Sequence, residues 1–255
     1  MIKSEGYIES EIGGTEYIEA DAIIFDKDGT LLDFDAFWIP ITEVALGQIM
    51  KRLNMECVPA EKLLSALGVF NGLASIDGVL CYGTYAQMAE AVYPIFREYG
   101  YTGDCDTIER HFEDTYAQSI SYGEIKPTCP DLAKTLSELK RRGKRLAVVT
   151  CDNREMTMKC LNGLGITDFF DRIYTDEKGM PQKPDPYYLL DFCSSLCINP
   201  ARTVMVGDTL TDLLFARNSG AISVAIVKGE LSDSKLYGKS DVLISKISQL
   251  TDLIR

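Results

Sequence analysis

The sequence predicts an α/β fold, a doubly wound parallel sheet, and three observations support this. Its apolar runs are short, β-branched-rich and continuous rather than alternating, as strands buried on both faces require. Helical patterns separate those runs, so strand follows helix and crossovers of one hand are implied. The rhythm breaks once, over residues 35–126, where long helical patterns dominate and no strand pattern stands out.

In chain order, residues 1–20 form an extension, read as a hairpin around EIGG or as a tail. AIIF is the first strand, leading into Asp26. FWIPITEVALGQIMKRLN, YGTYAQMAEAVYPIFREYG and TIERHFEDTYAQSI predict three helices of an inserted helical segment. The glycine-spaced stretch from Leu67 to Gly83 between them reads as a loop. DLAKTLSELKRRG is a helix with a basic, glycine-closed end, and LAVVT ending at Thr150 is the second strand. REMTMKCLNGLG and DPYYLLDFCSSLC are helices on either side of RIYT, a strand ending at Thr175. TVMVG ends a strand at Gly207, TDLLFARNSG is a glycine-closed helix, and SVAIV from Ser223 to Val227 is a fifth strand. The α/β core therefore comprises residues 21–34 and 127–255, and ligands belong beyond the carboxyl ends of its strands.

The chain of 255 residues is 46% hydrophobic and 25% charged, an ordinary composition for a packed domain. A net charge of -12 argues against nucleic acid or an anionic membrane as partner. An anionic substrate then needs local attraction from a metal ion, a lysine and backbone N–H groups. The opening MIKSEGYIESEIGG lacks the apolar region of a signal peptide, and no apolar run approaches about 20 residues, so a cytoplasmic location is expected. The eight cysteines lack zinc spacing and His111 is the single histidine, which predicts reduced thiols and no histidine-based metal or triad chemistry. Nothing in the pattern specifies an oligomeric state.

Four segments carry chemistry, each behind a strand. Asp26 and Asp28 follow AIIF, with Gly29 and Thr30 next. Alternation along a strand would point both carboxylates to one side, where like charges call for a divalent cation or a shared proton. Thr150 ends the second strand, either as part of an oxyanion cradle or as a cap, with Asp152 and Asn153 as rival caps. Lys183 stands in QKPDP, where two prolines stiffen the loop that carries its ammonium. Asp208 and Asp212 follow TVMVG, one helical turn apart. Carboxylates of this kind suit Mg²⁺.

DKDGT, VVT, Lys183 in KPDP and GDTLTD, in this order, resemble the four motifs of the haloacid dehalogenase-like hydrolase superfamily. The branch they resemble most is that of phosphoglycolate phosphatases and β-phosphoglucomutases, in which a helical cap occupies the place of residues 35–126. The resemblance implies a Mg²⁺-dependent reaction through an aspartyl-phosphate. By position it makes Asp26 the nucleophile and a metal ligand, and Asp28 the acid/base, whose main-chain carbonyl is a second ligand. Asp208 completes the metal site and Asp212 supports it. Gly29, Thr30, Thr150, Cys151 and Lys183 bind phosphate, Thr150 and Lys183 also counting as catalytic. Lys27 departs from the branch, in a slot that is often apolar, and is expected near the cap or the leaving group. Phe34, Asp35, Phe37 and Trp38 depart from it too, and are expected to form an unusual hinge or a bulky pocket wall.

The expected activity is hydrolysis of a small phosphorylated metabolite, phosphoglycolate-like. A phosphosugar mutase is the alternative within the family, and a non-catalytic phospho-acceptor is the alternative outside it. Dehalogenation is disfavoured, because Asp28 serves an alcohol leaving group and halide needs no acid. Imine chemistry is disfavoured because neither Lys51 nor Lys62 is marked as buried. The 67–83 loop is expected to act as a lid, with Asn71, Tyr82 and Tyr85 as substrate contacts and Arg97 and Arg110 as outside candidates.

Overall fold

The computed structural model describes residues 17–227 and 235–255. Of the expected N-terminal hairpin, residues 1–16 lie outside them; Ile18 forms a parallel bridge with Ile254. By internal contacts the chain divides into two units, residues 34–126 and the remainder.

Strand β1 is Ala22–Phe25, wholly buried. The inserted unit then begins with helix α1, Phe34–Arg52, which carries Pro40 in its interior. Helix α2 is Ala60–Ala66. The stretch read as a loop is more ordered than expected. Strands β2, Val69–Phe70, and β3, Leu73–Ala74, pair antiparallel about Asn71 and Gly72, both with positive φ. A short helix α3, Val79–Tyr82, follows. Two-residue strands carry no periodicity, which is why the pattern hid them. Helix α4, Tyr85–Glu98, starts in a capping box of Thr84 and Gln87. Helix α5, Cys105–Ser119, is capped by Asp104. The buried Thr42 hydroxyl lies 2.7 Å from the Tyr116 hydroxyl, tying α1 to α5.

The other unit resumes with helix α6, Leu132–Arg141, then strand β4, Arg145–Asn153. Helix α7 is Arg154–Gly163, strand β5 Arg172–Asp176 and helix α8 Tyr187–Leu196. Strand β6 is Thr203–Gly207 and helix α9 Leu210–Ser219, closed by left-handed Gly220. Strands β7, Ile222–Ile226, and β8, Val242–Ile244, precede a final turn of helix α10, Leu250–Leu253. β8 has no counterpart among the expected strands, being too short to rise above the loop around it.

Among the described residues, six strands form one parallel sheet in the order β5-β4-β1-β6-β7-β8. Alternate residues supply its two faces. Ile23, Phe25, Leu146, Val148, Val204 and Val206 pack with Leu132, Leu136, Leu139 and Leu161 from α6 and α7. Ala22, Ile24, Ala147, Val149 and Met205 pack with Leu189 and Phe192 from α8 and Phe215 from α9. Both faces are covered, so the strands read as continuous apolar runs. From β1 the chain first builds outward through β4 and β5, then returns to the other side of β1 with β6. The loops after β1, β4, β5 and β6 therefore converge at one end of the sheet, at its switch point.

Candidate active site

Asp26 stands one residue past β1, and its N–H still donates to Val206 O at 2.9 Å, which locks its main chain to β6. The strand has ended by Phe25, so strand alternation does not set the direction of Asp28. A turn does: Leu31 N–H donates to Lys27 O and Gly29 N–H to Leu32 O. Asp28 nevertheless lies close enough for its charge to act on Asp26.

Lys183 comes from the loop between β5 and α8. Asn218 Nδ2 donates to Pro184 O at 3.0 Å and pins that loop to α9. The Lys183 ammonium, 4% exposed, donates to Asp26 Oδ1 and to Asp212 Oδ1, both at 2.6 Å. Asp208 follows β6 directly, is buried, and accepts from the Thr30 hydroxyl at 3.2 Å. Asp212 is held on both oxygens. Oδ1 faces Lys183, and Oδ2 accepts from Thr209 N–H at 3.1 Å and from its hydroxyl at 2.6 Å. Thr209 thus orients Asp212; the T-x-x-D pattern of a capping box was the signal for it.

Two glycines make the approach possible. A Cβ on Gly207 would stand 2.4 Å from that of Asp212, so only glycine lets Asp212 lie against β6. Gly29 has φ +76°, and a Cβ there would stand 1.9 Å from Asp208 Oδ2. Gly29→Ala is therefore expected to strain the turn and push Asp208 aside. Thermal unfolding checks this, with an expected cost of about 1–3 kcal/mol.

The expected oxyanion cradle takes a different form. β4 does not end at Thr150 but runs to Asn153, with a register irregularity after Val149. Cys151 is thus a strand residue, not the start of a helix. Asp152 N–H donates to the Thr150 hydroxyl at 3.2 Å, and Asn153 caps α7 by accepting from Met156 N–H. The first turn of α7 is served by that cap. Thr150 is buried in the strand beside β1, and the charges of Lys183, Asp26 and Asp212 act on the Cys151 thiol.

The cluster concentrates acidic groups in a buried place. Asp26, Asp208 and Asp212 each offer an oxygen within 4.8 Å of the others, all three residues being buried. Among the described residues, the Lys183 ammonium pairs with two of these three buried carboxylates, Asp26 and Asp212. Burial pushes the Asp26 carboxyl up to about 7, against the pull of Lys183 and with Asp212 and Asp28 adding to the rise. Burial would lower the Lys183 ammonium, but Asp212 and Asp26 outweigh it and hold the group charged. A hard divalent cation with oxygen ligands fits this set in charge and in donor chemistry. Since Lys183 and Thr209 occupy Asp212, the carboxylates suited to ligation are Asp26 and Asp208.

Lys27 is fully buried and pairs with Asp28 at 2.7 Å and Asp152 at 3.1 Å. Asp152 thus serves as a counter-ion rather than a helix cap. In the inserted unit, Asn71 is at the hairpin tip and exposed, Tyr82 is 66% exposed on α3, and the Tyr85 ring lies 5.3 Å from that of Tyr116. Arg97 donates to Tyr101 O and Arg110 to the Thr107 hydroxyl, both on the surface of that unit.

Known proteins share this arrangement of segments. A model of the haloacid dehalogenase-like hydrolases matches residues 20–220. The phosphoglycolate phosphatase of Nitrosospira multiformis is 27% identical over 241 residues, covering 92% of this chain and 95% of that protein. A HAD-superfamily hydrolase of subfamily IA, variant 1, from Geobacter sulfurreducens PCA superposes with a TM-score of 0.66 at 19% identity, covering 94% of this chain and 98% of that one. A β-phosphoglucomutase from Clostridium difficile superposes with a TM-score of 0.58 at 18% identity, covering 91% and 93%. With a parallel sheet that gathers DKDGT, Lys183 and GDTLTD at one end and a family match over most of its length, the chain belongs to the haloacid dehalogenase-like hydrolases.

Proposed function

We propose that the chain is a Mg²⁺-dependent phosphatase that hydrolyses a small phosphomonoester of the phosphoglycolate type through an aspartyl-phosphate on Asp26. The observation that carries this is Lys183 bridging Asp26 and Asp212 beside Asp208 at the carboxyl ends of the strands. The relative named a phosphoglycolate phosphatase, matched over nearly its full length, supports the substrate class.

Asp26, Asp208 and the Asp28 main-chain carbonyl would hold the metal, which supplies charge neutralisation for the phosphoryl oxygens and the nucleophile. The remaining work falls to side chains. Lys183 fixes the Asp26 carboxylate and offsets part of its charge. The Thr150 hydroxyl orients the phosphoryl group, while Thr30 steadies Asp208. An Asp26 oxygen bonds to phosphorus as the phosphorus–alcohol bond breaks, and Asp28 protonates the departing alkoxide. Asp28, now a carboxylate, takes a proton from water, whose oxygen bonds to phosphorus and frees Asp26 with orthophosphate. Position and charge compensation carry most of such a transfer.

A panel of small phosphorylated metabolites tests the reading. Free phosphate in many equivalents per chain is expected, where a mutase would return an isomer and a phospho-acceptor would stop after one equivalent. Chelation is expected to lower turnover by about 100-fold or more, and added Mg²⁺ to restore it. Turnover indifferent to chelation, or no phosphate from any small ester, would overturn it.

A further inference from the structure

Strand β5 is an outer strand of the parallel sheet, and among the described residues no strand lies beyond it. Its exposure differs accordingly: Arg172 and Asp176 are exposed and Ile173 and Tyr174 half-buried, where β1 and β6 are wholly buried. The direction of its main-chain groups follows from its neighbour. Arg145 N–H donates to Asp21 O beside β1, so alternation along β4 turns the Val148 peptide groups towards β5. Val148 is registered against Ile173, and in a parallel ladder it bonds to the residues flanking that partner, Arg172 and Tyr174. The peptide groups of Ile173 and Thr175 therefore point outward. Thr175 O accepts from the Tyr188 hydroxyl at 3.3 Å, and a carbonyl has a second lone pair to offer. Open edges are usually blunted by lysine, proline or extreme shortness, and RIYTD has five residues and neither of those types.

We propose that β5 is the interface of a homodimer, in which two copies pair their β5 strands antiparallel about a two-fold axis at Tyr174. In that register Ile173 lies opposite Thr175 of the partner subunit on each side of the axis, so outward groups meet outward groups and exchange their bonds. Arg172 lies opposite Asp176 of the partner subunit, again twice. The charges decide the direction: RIYTD is complementary to its own reverse, whereas two copies in parallel would set like charges side by side. Both charged residues have capacity for this. Among the described residues, Arg172 donates one N–H, to Asp171 O at 3.1 Å, and Asp176 accepts on Oδ1, from Gln182. Helix α8 lies against the same edge, since the Tyr174 hydroxyl donates to Asp191 Oδ2 at 2.7 Å and the Tyr174 ring lies 4.8 Å from that of Tyr188. Tyr187, with its ring 5.5 Å from Tyr188, is 44% exposed and adds apolar surface there. An isologous contact of this kind closes after two copies.

Sedimentation of the full chain at micromolar concentration tests this, and a mass of two chains is expected. Arg172→Asp faces each Asp176 with a like charge and is expected to weaken the dimer by about 100-fold. The double variant Arg172→Asp with Asp176→Arg restores opposite charges with their places exchanged, and the dimer should return. A second measurement reads the register and serves even where a charge variant fails to fold. Across a non-hydrogen-bonded antiparallel pair the Cα atoms stand about 4.5 Å apart, within disulfide range, so Tyr174→Cys should give a covalent dimer on mild oxidation. The native thiols are free, so wild type oxidised in parallel is the control, and peptide mapping should find the new bridge joining position 174 of both chains. A wild-type chain that sediments as a monomer, or as anything larger than two chains, overturns the proposal. So does a dimer that Arg172→Asp leaves unchanged, or oxidation of Tyr174→Cys that fails to join position 174 to itself.

Discussion

Asp26→Asn is expected to lower kcat by about 10⁴-fold or more while leaving the fold intact. The amide keeps the shape of the side chain, and its oxygen still accepts from Lys183, but it cannot form the acyl phosphate. Stability should move the other way from activity. Burial raises the Asp26 carboxyl to about 7 in the metal-free protein, well above its ordinary value near 3.8. Between those two values the folded state binds more protons than the unfolded chain, so this group makes stability fall as pH rises through that window. Asp26→Asn should flatten that fall and unfold at a higher temperature than the metal-free wild type at pH 7 and above. Thermal unfolding across pH in chelator, beside turnover in Mg²⁺, checks both halves. Steady turnover in the variant would end the assignment of Asp26 as nucleophile.

Lys183→Met should fail on both counts. Asp26 and Asp212 would lose the ammonium that lies 2.6 Å from each. Removing one partner of a buried ionic group typically costs about 3–5 kcal/mol, which in a chain of this size corresponds to a fall in Tm of about 10 °C. Phosphate release should drop by about 10³-fold, since charge compensation and placement of the nucleophile go together. The double variant Lys183→Met with Asp212→Asn separates the effects. It relieves one unpaired carboxylate and should recover part of the Tm without recovering turnover. Full recovery of turnover would mean that Lys183 serves only to hold the loop.

Much of this was legible along the chain, because strands buried on both faces write themselves as uninterrupted apolar runs. Chemistry-bearing residues then stand out as the polar groups that follow: Asp26 after AIIF, Thr150 at the end of LAVVT, Asp208 after TVMVG. Weak or short signals were lost. The two-residue strands β2 and β3 and the edge strand β8 are too brief for periodicity to register. The end of β4 was misplaced, since Cys151, Asp152 and Asn153 look like a turn and a cap, yet the backbone stays extended through them. Asn153 does cap α7, as its residue type invites, while Asp152 was drawn to Lys27 instead.

Hydrophobic pattern and local order alone determined the parallel sheet and which segments end at its reactive edge, since both depend on periodicity within a few residues. Pairing among side chains far apart in the chain was decided by tertiary structure. That Lys183 bridges Asp26 and Asp212, that Gly29 yields its Cβ space to Asp208, and that Lys27 turns inward between Asp28 and Asp152 follow from loops brought together at the switch point. Coulomb attraction inside a buried site acts over a few ångströms of space, and distance along the sequence carries no record of it.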